Sequence, residues 1–241
     1  MHLKSLQVNQ FKSYEEARFS FISEINCIVG ENGIGKTNLL DAIHFLSMTK
    51  SARGISDQLC VKHSQDFFRV QGDFVDTQDR ETQITCLFQK GAKKQFLRDD
   101  KPYPRLADHI GHFPVVLMDP HDTDLVREGS EERRRFFDGM MSQLDRNFLD
   151  QLLRYNRIVQ QRNVLLKQFA ERGQVDRLHL DSYHAPLVEL GESLAKSRRE
   201  FLEVYLPSFK FHYAKLSDDR EDVDIQLEST FEAGSFDAAL R

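Results

Sequence analysis

The 241-residue sequence has no tryptophan, six prolines and three cysteines. Cys27, Cys60 and Cys86 lie far apart and form no CxxC pair. That excludes a zinc knuckle or a disulfide framework and points to the cytoplasm. The cysteines read as small buried hydrophobes. No apolar run reaches the roughly 18 residues a membrane helix requires, and "MHLKSLQVNQ" lacks the apolar stretch of a signal peptide. The nine histidines contain no HxH or HxxxH pair, so no metal-binding helix face is expected. There is no internal repeat and no low-complexity tract. A net charge of −5 argues against indiscriminate coating of nucleic acid, while leaving room for a local basic groove. With 40% hydrophobic and 29% charged residues, the chain can build one large core or two modest ones.

Strand-like alternation is present at Leu3, Leu6, Val8 and Phe11, and again at Ala17, Phe19 and Phe21. Ile25, Cys27, Ile28 and Val29 form a nearly continuous apolar run ending at Gly30, the pattern of a strand buried on both faces. Leu39, Leu40, Ile43 and Leu46 then follow helical spacing. Residues 67–97 predict an antiparallel meander, and "FPVVLM" at 113–118 predicts another buried strand. From residue 123 the character is helical. Glu131–Gln143 reads as a charged helix. Phe148 to Phe169 and Leu187 to Val204 form two apolar stripes, broken at Gly173–Ser182 and ended by Pro207, which predict a helical hairpin. Phe209–Tyr213 and Val223–Leu227 read as returning strands.

The chemistry is concentrated in "GENGIGKT", residues 30–37, which fits GxxxxGK[ST]. The fit has a mechanical basis. Gly30, Gly33 and Gly35 let the backbone turn tightly, and the N–H groups of Glu31, Asn32, Ile34 and their neighbours can then face an anion at a helix N-terminus. Lys36 would reach the β- and γ-phosphates of ATP, and the Thr37 hydroxyl would ligate Mg²⁺. A chance match in a chain of this length occurs about once in a hundred sequences.

A phosphate cradle needs a second half. The segment "FPVVLMDPHD" offers Asp119 at the end of an apolar run, where simple P-loop enzymes hold magnesium. Pro120 stands where hydrolytic ABC-type sites carry a glutamate. No Ser-Gly signature in the right context follows, nor a later apolar run ending in Asp-Glu. Two readings stay open: a nucleotide-binding part completed by residues outside this sequence, or a self-sufficient small P-loop NTPase or kinase using Asp119.

Three stretches are similar to the RecF family of bacterial recombination-mediator ATPases: "INCIVGENGIGKTNLLDAIHFLSMTKSAR", "FPVVLMDPHDTDLVREGSEERRRFFDGMM" and "LLRYNRIVQQRNVLLK". The opening "LKSLQVNQFKSYEEARFSF" resembles the family's first hairpin, with Lys12 in its basic position, and Asp41 takes the place of a glutamate-like acid. The resemblance implies an α/β fold, a P-loop ABC-type ATPase head with an α/β lobe and an inserted helical lobe. The expected divisions are an ATP-binding lobe at 1–122, a helical lobe at 123–210 and a return toward the first lobe at 211–241. It also implies weak DNA-dependent hydrolysis, an ATP-dependent homodimer, and binding to single-stranded DNA and to duplex DNA near gap junctions. A RecR-type mediator is the implied partner, in DNA repair, replication and the SOS response, with no membrane involved. The family continues past the residues present here. Arg53 resembles the loop arginine of SMC-type heads. Arg53, Arg133 and Arg134 are candidate DNA contacts. Against that reading, Arg133 and Arg134 would simply pair with Glu131 and Asp138, and Lys90, Lys93 and Lys94 would form a solvated hairpin tip.

Overall fold

The strands β1 (His2–Asn9), β2 (Glu16–Ser20), β3 (Phe67–Val75), β4 (Glu81–Gln89), β5 (Gln95–Arg98) and β6 (Lys101–Pro102) form one antiparallel sheet in the order β2-β1-β3-β4-β5-β6. These ranges come from a computed structural model that describes residues 1–123 and 129–228. The period-2 pattern of the sequence places one side chain in two on a single apolar face. Its register aligns Val8 with Val70, Val70 with Cys86 and Cys86 with Phe96, so one row of core residues crosses four strands. The meander expected over residues 67–97 is β3 to β5.

The helix α1 (Lys36–Met48) lies on that face through Leu39, Ala42, Phe45 and Leu46. Gly72 leaves room for the helix, since an added Cβ there would stand 2.5 Å from a Leu46 methyl. Phe11, Phe45 and Phe68 meet edge to face with centroids 5.2–5.9 Å apart, each pair contributing about 0.5–1.5 kcal/mol beyond its buried area. His109 is completely buried among Phe96, Tyr103 and Phe113, and its Nε2 lies 2.6 Å from the Leu46 carbonyl. A carbonyl only accepts, so Nε2 carries the proton. This bond fastens the segment after β6 to the C-terminal end of α1. Burial depresses the His109 pKa to about 4. A short helix α2 (Asp57–Cys60) follows α1.

Two strands predicted before residue 123 are not formed. Residues 25–30 and 113–118 belong to no ladder, and Val29 and Val116 are 88% and 87% exposed. An apolar strand is buried only if partners flank both its edges and layers cover both its faces. The sheet runs from β2 to β6 without including either segment, so among the described residues neither has such neighbours. Phe113 alone of the second segment enters the core. Cys27 is exposed with its segment, against the expectation, while Cys60 and Cys86 are buried. Desolvation pushes the Cys60 thiol up to about 11, so it is an inert core group.

The chain divides into two compact units, Met1–Glu128 and Gly129–Arg241. The second contains α3 (Ser130–Leu144), α4 (Arg146–Arg172), α5 (Arg177–Asp181) and α6 (His184–Ser217). Asp145 caps α4 by accepting from the N–H groups of Asn147 and Phe148 at 2.8 and 3.2 Å, and Gly173 ends it in the left-handed conformation. The predicted hairpin is α4 with α6, joined through Phe148, Leu152, Tyr155, Leu194 and Phe201, with Met141 of α3.

Phe209–Tyr213 is helical, not a strand, because α6 runs through Pro207 to Ser217. Proline removes one backbone hydrogen bond, but rings at i, i+4 spacing carry the helix onward. Successive centroids of Phe201, Tyr205, Phe209 and Tyr213 are 5.6–6.0 Å apart. Residues 223–227 join no strand of the sheet, so the second returning strand is also absent. No helix among the described residues is long and apolar enough to cross a membrane.

Candidate functional site

Residues Gly30 to Gly35 form a loop that runs directly into α1. Gly33 and Gly35 have φ of 85° and 111°, in the region that favours glycine. Gly35 is required on a second ground, since an added Cβ would lie 2.7 Å from Ser13 Oγ and 3.1 Å from the Tyr14 ring. No side chain caps α1, and no acidic residue occupies its first turn. The partial positive charge of the helix end is therefore not neutralised by its own first turn. Lys36 Nζ folds back over the loop and donates to the carbonyls of Gly30 at 2.7 Å and Glu31 at 2.8 Å. Glu31, Asn32, Gly33, Ile34 and Thr37 are all exposed. The sequence motif thus becomes an exposed loop at an uncapped helix start, with its lysine alongside.

The loop is held from behind by the turn between β1 and β2. Tyr14 Oη donates to the Gly35 carbonyl at 3.0 Å, and Asn38 Nδ2 donates to Ser13 Oγ at 2.8 Å. Lys12 Nζ stands 2.5 Å from the Asp41 carboxylate. Three consecutive residues therefore grip the loop's last residue, the first turn of α1 and its second turn. Lys12 holds φ at 52° to do so. The sequence singled out Lys12 and Asp41 only through the resemblance, and it gave no signal for Ser13 or Tyr14, whose partners are distant in sequence.

Arg53 lies in the loop after α1, with a guanidinium nitrogen 3.8 Å from the Asp119 carboxylate. Asp119 opens a short 3₁₀ turn, and its N–H donates to Asp122 at 2.8 Å. No group of three His, Cys, Asp or Glu residues among the described residues could hold a metal by itself. The exposed Thr37 hydroxyl suits a magnesium ion that arrives with a phosphate ligand.

Arg133 and Arg134 are exposed on the first turns of α3. The acids expected to pair with them, Glu131 and Asp138, are bound by two other arginines. Arg135 reaches Glu131 and Glu132 at 3.2 and 2.9 Å, and Arg198 of α6 binds Asp138 through two 2.8 Å hydrogen bonds. Arg135 stands i+3 and i+4 from Glu132 and Glu131 and so shares a face with both. The Arg198 pair requires knowing how α6 packs on α3. Lys94 is also not a solvated tip residue. It donates to the Thr49 carbonyl, pairs with Asp57 at 2.7 Å and lies 4.9 Å from the Phe45 ring centroid.

A family model described as an AAA domain matches residues 5–232. The DNA replication and repair protein RecF of Cytophaga hutchinsonii is 42% identical over 241 residues, covering all of this chain and 63% of the relative. That of Flavobacterium johnsoniae is 42% identical over 229 residues, covering 95% of this chain and 64% of the relative. The chain belongs to the RecF family. The fold agrees. The solved recombination mediator protein RecF-ATP superposes with a TM-score of 0.85 at 29% identity, covering 99% of this chain and 65% of that one. RecF-ATPrS gives 0.82 at 30% identity, covering 90% and 58%. The α/β unit with its phosphate loop is a P-loop ABC-type head. The chain spans a little under two thirds of the length of these curated relatives.

Proposed function

We propose that this chain binds ATP through residues 30–37 and serves as the nucleotide-binding part of a cytoplasmic DNA replication and repair protein. The observation that carries the reading is the uncapped start of α1 behind Gly35, with Lys36 poised over an exposed loop. Lys36 would exchange the carbonyls of Gly30 and Glu31 for β- and γ-phosphate oxygens. The backbone N–H groups of Asn32 to Lys36 would hold further oxygens. Thr37 would hold Mg²⁺, whose role is to neutralise phosphate charge. The names of the RecF relatives support a role in replication and repair, and the RecF-ATP neighbour supports the nucleotide.

In this reading, ATP controls a homodimer that engages duplex DNA near gaps and single-stranded DNA, together with a RecR-type mediator, in repair and SOS induction. Arg53, Arg133 and Arg134 are the proposed phosphate contacts. If they are, DNA affinity falls steeply with added salt, whereas a flat salt dependence removes them from the interface. The test of the nucleotide assignment is equilibrium binding of labelled ATP to the wild-type chain and to Lys36→Ala. Saturable binding that falls at least about a hundredfold in the variant, the loss of a charge-assisted contact to a multiply charged ligand, supports the reading. Equal binding by the two proteins overturns it.

A further inference from the structure

Asp41 is the one carboxylate among the described residues that is nearly fully buried, at 3% exposure. Burying a carboxylate costs several kcal/mol unless its oxygens are satisfied, and here they are. One oxygen meets Lys12 Nζ at 2.5 Å. Ser51 Oγ lies 2.9 and 3.1 Å from the two oxygens, and the Ala52 N–H donates at 2.7 Å. Ser51 Oγ in turn accepts from the Arg53 N–H at 3.3 Å. The neighbouring inward positions of α1 are filled by Ala42, Phe45 and Leu46. An apolar residue at 41 would have avoided the desolvation cost. What an acid supplies, and a leucine cannot, is a fixed position for the turn that carries Arg53.

Asp41 has two sides. Toward the loop, Lys12 belongs to the turn whose Ser13 and Tyr14 hold Asn38 and the Gly35 carbonyl. Toward Arg53, Ser51 and Ala52 lead to the ion pair with Asp119. We propose that Asp41 is a positioning residue that couples the state of the phosphate loop to the placement of Arg53. The inference rests on the proposed binding of ATP by residues 30–37. A contiguous set of contacts is only a route, and coupling along it must be measured.

The test is amide hydrogen exchange on the 241-residue chain with and without ATP and magnesium. In the wild type, ATP slows exchange at residues 30–37 and also, by about tenfold, at residues 51–54, within the usual size of coupling between sites. Asp41→Asn keeps the side chain's shape and an acceptor for Ala52 but removes the charge that holds Lys12. At an ATP concentration that saturates the variant, it should retain slowing at 30–37, while the ATP-dependent slowing at 51–54 disappears. Ser51→Ala, which leaves Asp41 and Lys12 paired, breaks the other side with the same result and carries the test if Asp41→Asn does not fold. A purely structural role would change exchange at 51–54 equally with and without ATP. ATP-dependent slowing that persists at 51–54 in a folded variant overturns the inference. So does wild-type slowing confined to 30–37. No ATP effect at 30–37 in wild type overturns the ATP assignment itself, and the coupling with it.

Discussion

From Gly35 onward the phosphate-loop motif is gripped at every turn. Tyr14 holds the Gly35 carbonyl, Ser13 holds Asn38, Lys12 holds Asp41, and Phe45 and Leu46 are fully buried against the sheet. From Ile25 to Ile34 the same motif is open. Ile25 and Val29 are more than 80% exposed, and Lys36 donates to the carbonyls of Gly30 and Glu31 in the loop. Residues 25–29 are, residue for residue, more apolar than the helix that follows. Their difference shows that an apolar run is buried by its neighbours and not by its composition. It also shows where the cradle gets its shape: the helix end that would face a phosphate is fixed by a turn packed behind it.

The contrast can be broken at its strongest point. Phe45→Ala removes a ring shared by Phe11, Phe68 and Phe96 and should cost about 3–5 kcal/mol of stability in urea unfolding. A cost below about 1 kcal/mol, the level of an ordinary surface substitution, would mean that this half is not the anchored one.

His109, which fastens the segment after β6 to α1, gives the next effect. Its pKa drops from an ordinary 6.5 to about 4 in the folded chain. The unfolded chain therefore binds the extra proton first. The stability this group contributes is complete above pH 6.5 and is lost as pH falls toward 4, by about 3 kcal/mol in all. Urea midpoints at pH 7 and pH 4.5 should separate in the wild type and converge in His109→Phe. An unchanged pH slope in that variant would assign the acid sensitivity to other groups.

Gly35→Ala tests the junction of the two halves. It adds a side chain at φ 111° against Ser13 and Tyr14 and should cost about 1–3 kcal/mol, with a matching loss of ATP affinity. Stability lost without any change in ATP binding would separate the turn from the cradle. The smallest effect belongs to the open half. Val29→Ser should shift the stability of this chain by no more than about 0.5 kcal/mol, and a loss several times larger would show that residues 25–30 are packed in solution.

Much of this arrangement was legible in the sequence. The six residues that place Gly33 and Gly35 at positive φ and Lys36 at a helix start are spelled out in "GIGKTN", because local backbone demands act over a few residues. The period-2 pattern of β1 to β5 was readable for the same reason. Partners remote in sequence were not. Asp138 is claimed by Arg198, sixty residues away, and nothing in "EERRRFFD" says so. The apolar runs at 25–29 and 113–118 read as buried strands because hydrophobicity records a need for neighbours, not their presence. A proline reads locally as a helix stop, whereas α6 continues through Pro207 with the aromatic ladder from Phe201 to Tyr213 along it.

The most direct measurement is equilibrium binding of labelled ATP with magnesium to this chain, beside Lys36→Ala and with unfolding curves for both. The account predicts saturable binding by the wild type, its loss in Lys36→Ala, and matching unfolding midpoints. Absence of binding in both proteins, or equal binding by both, would contradict the assignment of residues 30–37 as the nucleotide cradle.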